Sequence, residues 1–243
     1  MNKVFKNETM ILILYLINYA HPQTFCSALC ADTMCNSEAS GDCTECRPPL
    51  VLSGSVCEEG AGYEFFQKSS DLGGALTTTM TSSTCGAYTF IGNISGSNPM
   101  TFTSSTGFSK PFYKVILVAW IILIDGWGTS QTMFCNVTGA GSHSMAMTNL
   151  IGKKVCGAAG NAEEHLKFSV EFDYNTTSAS EMNFTFYTDD NSKKWGIKEF
   201  YVLMGVCNEN CTSCFGSLIS ECYSCISSMF LSGTTCMGSC LDG

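Results

Sequence analysis

Sixteen cysteines lie between Cys26 and Cys240, and their spacing limits what the chain can become more than any other feature. From Cys26 the intervals hold three, four, seven, two and ten residues, through Cys30, Cys35, Cys43 and Cys46 to Cys57. From Cys207 they hold three, two, seven, two and ten, through Cys211, Cys214, Cys222 and Cys225 to Cys236. The last interval also repeats in its letters, LSGSVC at 52–57 and LSGTTC at 231–236, with a glycine marking a tight turn before the closing half-cystine. Segments this short carry too few apolar side chains for a core of their own, so cross-links must supply what burial cannot. Each disulfide contributes about 2–4 kcal/mol, mostly by restricting the unfolded chain.

The stretch CTSCFGSLISECYSC, residues 211–225, fits either of two chemistries. Thiolates two residues apart can share a tetrahedral zinc ion, which Cys211, Cys214, Cys222 and Cys225 would then hold. The same spacing occurs in oxidised extracellular repeats, and the compartment decides between them. Residues 1–20, MNKVFKNETMILILYLINYA, place Lys3 and Lys6 ahead of an apolar run from Met10 to Tyr19 that is too short to cross a bilayer as a helix. This is the pattern of a signal peptide ending at Ala20, and an even cysteine count behind one marks a disulfide framework rather than a metal site. Cys85, Cys135, Cys156 and Cys240 join the twelve above as expected half-cystines. Three of these four fall in the middle of the chain, so at least one of Cys85, Cys135 and Cys156 must pair outside that segment or stay free. Six cysteines permit fifteen pairings. In two-disulfide modules of this kind the first cysteine often meets the third, which favours Cys211 with Cys222 and Cys214 with Cys225.

Export agrees with five N-x-S/T triplets, at Asn93, Asn136, Asn175, Asn183 and Asn210, each able to accept a glycan on a secreted protein. Without residues 1–20 the chain carries 10 basic and 20 acidic residues, a formal charge of −10. Nucleic acid is thereby excluded as a partner, because phosphate binding needs a surplus of Lys and Arg.

Between the cysteine-rich segments, residues 61–206 show period-two alternation. LKFSVEFDY puts Leu166, Phe168, Val170, Phe172 and Tyr174 on one face and charged or polar residues on the other, the mark of a half-buried strand. MNFTFYT turns Phe184 and Phe186 inward and Asn183 and Thr185 to water. Further strands are expected at 86–94, 131–138 and 196–204. YKVILVAWIILI, residues 113–124, is apolar on both alternating faces and too short for a membrane helix, which makes it a strand covered on both sides. The expectation is an all-β chain: a signal peptide (1–20), a cysteine-rich repeat (21–60), a jelly-roll-like β-sandwich (61–206) and a second cysteine-rich repeat (207–243).

No enzymatic constellation stands out. HExxH, GxSxG and phosphate-cradling glycine loops are absent from the sequence, and a Cys–His nucleophile using His143 or His165 competes with the half-cystine fate of each thiol. Asp189 and Asp190, in YTDDNSKKW, are turn formers first, oxygen ligands for calcium second and a hydrolase's carboxylate pair third, and Asp125, in LIDGW, is a turn former or a loop ligand; calcium is the one cofactor these residues admit. Trp127, Trp195 and Tyr113 stand at strand ends, where an exposed ring could stack on a sugar and a buried one would plug the core.

Four pieces, TCGAYTFIG (84–92), YKVILVAWIILIDGW (113–127), HLKFSVEF (165–172) and WGIKEFYVLMGVC (195–207), run in this order directly into the second repeat. Together they resemble secreted or surface proteins of ciliated protozoa that combine furin-like, growth-factor-receptor-type cysteine-rich repeats with a β-sandwich-like module. The resemblance implies an extracellular or ciliary-surface, disulfide-bonded, non-enzymatic role. Those relatives usually carry further repeats and often a membrane anchor, whereas here Cys240 only begins what looks like another C-x3-C step, a departure that suggests a fragment or one component of a larger assembly. The run at 113–124 is more apolar than in those relatives, which suggests a buried contact with another subunit. The function expected is that of a structural or adhesive surface glycoprotein contacting other extracellular proteins or copies of itself. The alternative is a module that binds glycans or a diffusible ligand. Proprotein convertases also place a β-sandwich before furin-like repeats, but their catalytic domain has no counterpart here.

Overall fold

The computed structural model describes residues 26–31, 35, 42–68, 76–86, 88–95, 98–104, 108–124, 126–127, 130–147, 151–153, 163–176, 181–190 and 192–238. The expected signal peptide, Asp125, Cys156, Cys240 and the side chains of Asn93 and Asn175 lie outside these. Among the described residues the regular elements are all strands, and no helix is long and apolar enough to cross a membrane.

An N-terminal cystine-linked arm ends in the hairpin β1 (Val51–Ser53) and β2 (Val56–Glu58). The sandwich follows as β3 (Tyr63–Lys68), β4 (Leu76–Thr77), β5 (Ser82–Cys85), β6 (Tyr88–Ser95), β7 (Met100–Ser104), β8 (Phe112–Ile124), β9 (Thr132–Val137), β10 (Gly141–Ala146), β11 (Ile151–Lys153), β12 (Glu163–Thr176), β13 (Asn183–Thr188) and β14 (Lys194–Val206). The C-terminal arm holds two hairpins, β15 (Cys211–Cys214) with β16 (Cys222–Cys225) and β17 (Phe230–Ser232) with β18 (Thr235–Met237). One sheet of the sandwich runs β10-β9-β13-β7-β4; the other runs β11-β12-β8-β14-β6-β5, with β3 also against β14. From β6 to β14 the chain crosses between the sheets at each step except within the β9–β10 and β11–β12 pairs, leaving inner orders β12-β8-β14-β6 and β10-β9-β13-β7. That is the jelly-roll arrangement.

The strand β8 explains the layering. Its residues Val115, Leu117, Ala119, Ile121 and Leu123 face the opposite sheet and meet Phe102, Phe184, Phe186 and Met133 in the inter-sheet core. Its alternate residues Ile116, Val118 and Trp120 point the other way and are also buried, under Cys26, Ala28, Leu29, Cys30 and Leu50 of the N-terminal arm. A sandwich sheet usually shows one face to water; here the chain's own arm covers it. The apolarity of 113–124 therefore reflects an intramolecular contact rather than the second subunit expected from the sequence. Each large side chain so covered contributes about 1.5–3 kcal/mol. The C-terminal arm sits elsewhere, where β8 begins and β14 ends: Cys207 N–H donates to Pro111 O at 3.0 Å, and the cysteine cluster of this arm packs on Tyr113.

The two arms share one pattern of cross-links. In the first, Cys26 pairs with Cys35, Cys30 with Cys43 and Cys46 with Cys57. In the second, Cys207 pairs with Cys214, Cys211 with Cys222 and Cys225 with Cys236. By position along each repeat this is first with third, second with fourth, and fifth with sixth. The expected Cys211–Cys222 bridge is present, whereas Cys214 joins Cys207 rather than Cys225, because counting from the CxxC pair leaves out the cysteine that opens the repeat. Backbone pairing repeats as well, with Cys30 opposite Cys46 and Cys35 opposite Cys43 in one arm and Cys211 opposite Cys225 and Cys214 opposite Cys222 in the other. Gly54 and Gly233, at equivalent hairpin turns, have φ of 66° and 63°, a region open to glycine at little cost.

One polar contact fastens the first arm to the sheet. Glu199, on the outer face of β14, is 4% exposed, and its Oε2 accepts from Ala28 N at 2.8 Å, from Ser27 Oγ at 3.1 Å and from the Tyr201 hydroxyl at 3.4 Å. Lys198 Nζ lies 3.8 Å from its Oε1 and 3.9 Å from the centre of the Trp120 ring. Replacing Glu199 by Ala strips a buried N–H and a buried hydroxyl of their acceptor and is expected to cost about 2–4 kcal/mol, with Glu199→Gln costing less. Urea unfolding with the disulfides intact checks this, and equal losses for the two variants would show that the acceptor oxygen is not what matters.

Burial, and after it the neighbouring Glu199 carboxylate, pushes the Tyr201 pKa up to about 12 from an ordinary value of 10.0. A group with a raised folded-state pKa contributes stability that is complete below its unfolded value and is lost as pH rises through the folded one. Stability is therefore expected to fall between about pH 10 and 12, by less in Tyr201→Phe than in the wild type. Alkaline denaturation curves that superimpose for the two proteins would contradict the assignment.

Candidate functional site

The aromatic residues nominated by the sequence are placed by the ends of the central strands. Trp127 follows β8 and is 5% exposed; its indole N–H donates to Ile124 O at 3.1 Å and Lys194 O at 3.0 Å, tying the exit of β8 to the entry of β14. Trp195 is 0% exposed, inside the inter-sheet core. Neither has a face open to a sugar ring, so both leave the set of binding candidates and become plugs of the sandwich. Tyr113 is half-buried, edge-on to Tyr63 with ring centroids 6.4 Å apart, and sits over Gly205, where an added Cβ would come within 2.8 Å of the ring. Burial, then its hydrogen bond with Tyr63, raises its pKa. Its place is the seam between sandwich and C-terminal arm.

Of the acidic candidates, Asp189 and Asp190 serve a turn. Asp189 Oδ1 accepts from Thr132 N–H at 2.9 Å. Asp190 Oδ1 accepts from both the N–H and the hydroxyl of Ser192 at 2.7 Å, and its Oδ2 accepts from Gln131 Nε2 at 3.1 Å. These hydrogen bonds, the one from the Ser192 backbone foremost, hold the Asp190 carboxyl below its usual range. The pair thus closes the link from β13 to β14 in the manner of an Asx turn.

Cysteine chemistry divides in two. The Sγ atoms of Cys211, Cys222 and Cys236 lie within 4.8 Å of one another, but they belong to disulfides and offer no thiolate to a metal. Cys85 is also disulfide-bonded. Cys135, expected as a half-cystine, is instead a free, buried thiol on the inward face of β9, with Phe186 and His143 opposite it on the neighbouring strands. That register juxtaposes a thiol and an imidazole, the elements of a nucleophilic pair. Burial, however, raises the Cys135 pKa and keeps the sulfur protonated, the reverse of an activated nucleophile.

Two further surfaces stand out among the described residues, one half-buried and one exposed. The first is the outer face of the five-stranded sheet, where Thr101, Thr103, Asn183, Thr185, Tyr187, Phe134 and Asn136 alternate with core residues. Thr101 and Thr185 share a hydrogen bond at 3.1 Å, and Thr103 donates to Asn183 Oδ1 at 2.7 Å. Phe134 and Tyr187 lie opposite each other and stack, with centroids 4.9 Å apart and planes 8° from parallel. The sequence reading passed over them because they occupy the solvent phase of their strands; an aromatic ring at such a position is the signal that could have found them. The second surface consists of apolar side chains on the arms: Val51, Leu52 and Val56 on one, and Phe215, Leu218, Ile219, Tyr223, Phe230 and Leu231 on the other. A cavity of about 230 Å³ between Phe65, Phe66, Phe108, Met204 and Val206 lies beside the ion pair of Lys110 and Glu64. It is smaller than ordinary ligand pockets, which run from about 300 Å³ upward.

No family model matches the chain, and no curated protein matches it. Similar solved structures include the carbohydrate-binding module TmCBM27, which recognises mannan, at a TM-score of 0.34 and 8% identity over 59% of this chain and 88% of that one. The module TmCBM61, solved with β-1,4-galactotriose, matches at 0.28 and 11% identity over 58% and 85%. An exo-β-1,3-galactanase from Phanerochaete chrysosporium, solved with galactose, matches at 0.29 and 11% identity over 61% of this chain, which spans only 30% of the enzyme. Scores this low do not establish a common fold, and the functional reading rests on the residues themselves.

Proposed function

We propose that this chain is a non-enzymatic extracellular glycoprotein that acts as a structural or adhesive component through protein–protein contacts made by its cystine arms. One observation carries the reading: among the described residues, every exposed large hydrophobic side chain lies on an arm and none lies on the sandwich. The exposure follows the repeat. Val51 and Leu52 occupy the same hairpin positions as Phe230 and Leu231: Leu52 lies opposite the closing half-cystine Cys57 and Leu231 opposite Cys236, with Val51 and Phe230 opposite the residue after it. A side chain shown to water at the same place in both repeats is accounted for by a contact made there, since interfaces concentrate their energy in a few apolar and aromatic anchors. Phe215 and Tyr223, with centroids 5.2 Å apart, widen the apolar surface of the second arm. The oxidised arms and the acidic surface fit life outside the cell. A glycan-binding role, the second reading, draws on a different surface, the Phe134–Tyr187 face of the five-stranded sheet.

The test is association of the oxidised full chain, followed by sedimentation and by cross-linking on the surface of a secreting cell. Phe230→Ser with Leu231→Ser is expected to weaken association at least about tenfold while leaving the six arm disulfides formed. Wild-type chain that sediments as a monomer and cross-links to no surface protein would count against the proposal, as would undiminished association in the double variant.

A further inference from the structure

We infer that the Phe134–Tyr187 stack is the seat of the chain's own N-linked sugar, attached at Asn136. The inference rests on the extracellular reading, because the sugar is added on the secretory route. The geometry that supports it is local. Phe134 and Asn136 are two residues apart on β9, so both project from the outer face of the sheet, about 7 Å apart along the strand. Across the ladder, Thr185 stands opposite Asn136 and Tyr187 opposite Phe134. Asn136 is exposed, while Cys135 and Val137 on either side of it are buried. Anything linked to its amide therefore leaves on the face that carries the two rings.

The chemistry of that face suits a neutral sugar. The C–H bonds on one side of a pyranose pack against an aromatic face, while hydroxyls beside the ring accept and donate hydrogen bonds. Each ring of the stack uses one face on the other and is only half-buried, so apolar surface is left over in a phase where β7, β9 and β13 otherwise carry Thr or Asn. Thr185 and Thr101 already share a hydrogen bond next to Asn136, and Ser142 faces it from β10. No charged side chain occurs among these neighbours, which disfavours a phosphate or sulfate group as the occupant. The second triplet on this face, at Asn183, differs: its amide oxygen is held by Thr103 and the residue is half-buried, so it is less suited to carry a sugar that must lie flat.

The experiment uses the full chain secreted from a glycosylating host, with glycopeptide mass spectrometry to read occupancy and thermal unfolding to read the effect. The sugar is trimmed enzymatically to a single residue. Thr138→Ala removes the triplet and keeps Asn136 in place; Phe134→Ala and Tyr187→Ala remove the rings. With the ring pair intact, the single-sugar form is expected to melt about 2–4 °C above Thr138→Ala. In Phe134→Ala or Tyr187→Ala backgrounds that difference should vanish, even though each background is itself less stable. A difference that persists without the rings overturns the inference, and so does an unoccupied Asn136 in a chain glycosylated elsewhere. Binding of free oligosaccharides on an array by the Thr138→Ala protein, lost on Phe134→Ala, also overturns it and gives the platform to a foreign glycan. A chain that is never exported and bears no sugar at any triplet removes the extracellular reading itself, whereas export without coupling between sugar and rings leaves that reading standing.

Discussion

Both faces of β8 are apolar, and most of the architecture follows from having to dry them. A strand with one oily face is content in a two-sheet sandwich; a strand with two needs a third layer. The opposing sheet supplies one cover and the N-terminal arm much of the other, with Cys85 and Phe90 burying Ile122 and Ile124, so the arm is part of the core rather than an appendage. The apolar material the arm can bury is little more than Ala28, Leu29, Leu50 and its sulfurs. Disulfides hold it in shape, and the sheet gives it something to bury. Each solves the deficiency of the other.

Hydrophobic contact is not directional, and it would let a small cross-linked module slide across a flat sheet. Glu199 removes that freedom. Its carboxylate is buried on the otherwise apolar outer face and meets one backbone N–H and one hydroxyl of the arm, Ala28 and Ser27, at a separation of 171 residues for the shorter bond. An acid in such a place is costly unless satisfied, and only one placement of the arm satisfies it. Among the described residues the second arm shows no equivalent pin. It is instead continuous with β14 and seated on Tyr113, which leaves its outer side, with Phe230, Leu231, Phe215 and Tyr223, turned to solvent.

Much of this was legible in the letters. Alternation in LKFSVEFDY and MNFTFYT placed the core face of β12 and β13 residue by residue, because a strand's period is fixed by its pleat. The cysteine intervals gave away the repeat, and the glycine of LSGSVC and LSGTTC its turn. The short strands β4, β5 and β11 were not visible, since two to four residues carry no period to count. The tryptophans misled for a related reason: a ring at a strand end is equally suited to a plug or a platform, and only the direction of the exit from β8, set by two carbonyl acceptors, decides for Trp127. Glu199 and the Phe134–Tyr187 pair were missed because each breaks the pattern by which a strand is recognised: an acid in an apolar run, and rings in a polar phase. The free state of Cys135 follows from a fold that turns it toward the opposite sheet, which no count of cysteines contains.

The cross-links of the arms are all local, spanning between 7 and 13 residues of chain. Oxidation of the first arm therefore needs nothing that emerges later from the ribosome, whereas its resting place does: β14, the last strand of the sandwich to be made, carries Glu199, Tyr201 and Leu203. Sheets that pair distant segments assemble slowly. A cross-linked N-terminal module can thus form before its landing surface is complete, its greasy underside meeting β8 first and β14 last. Any chain cut short before β14 would keep that module intact and leave its berth permanently unfinished.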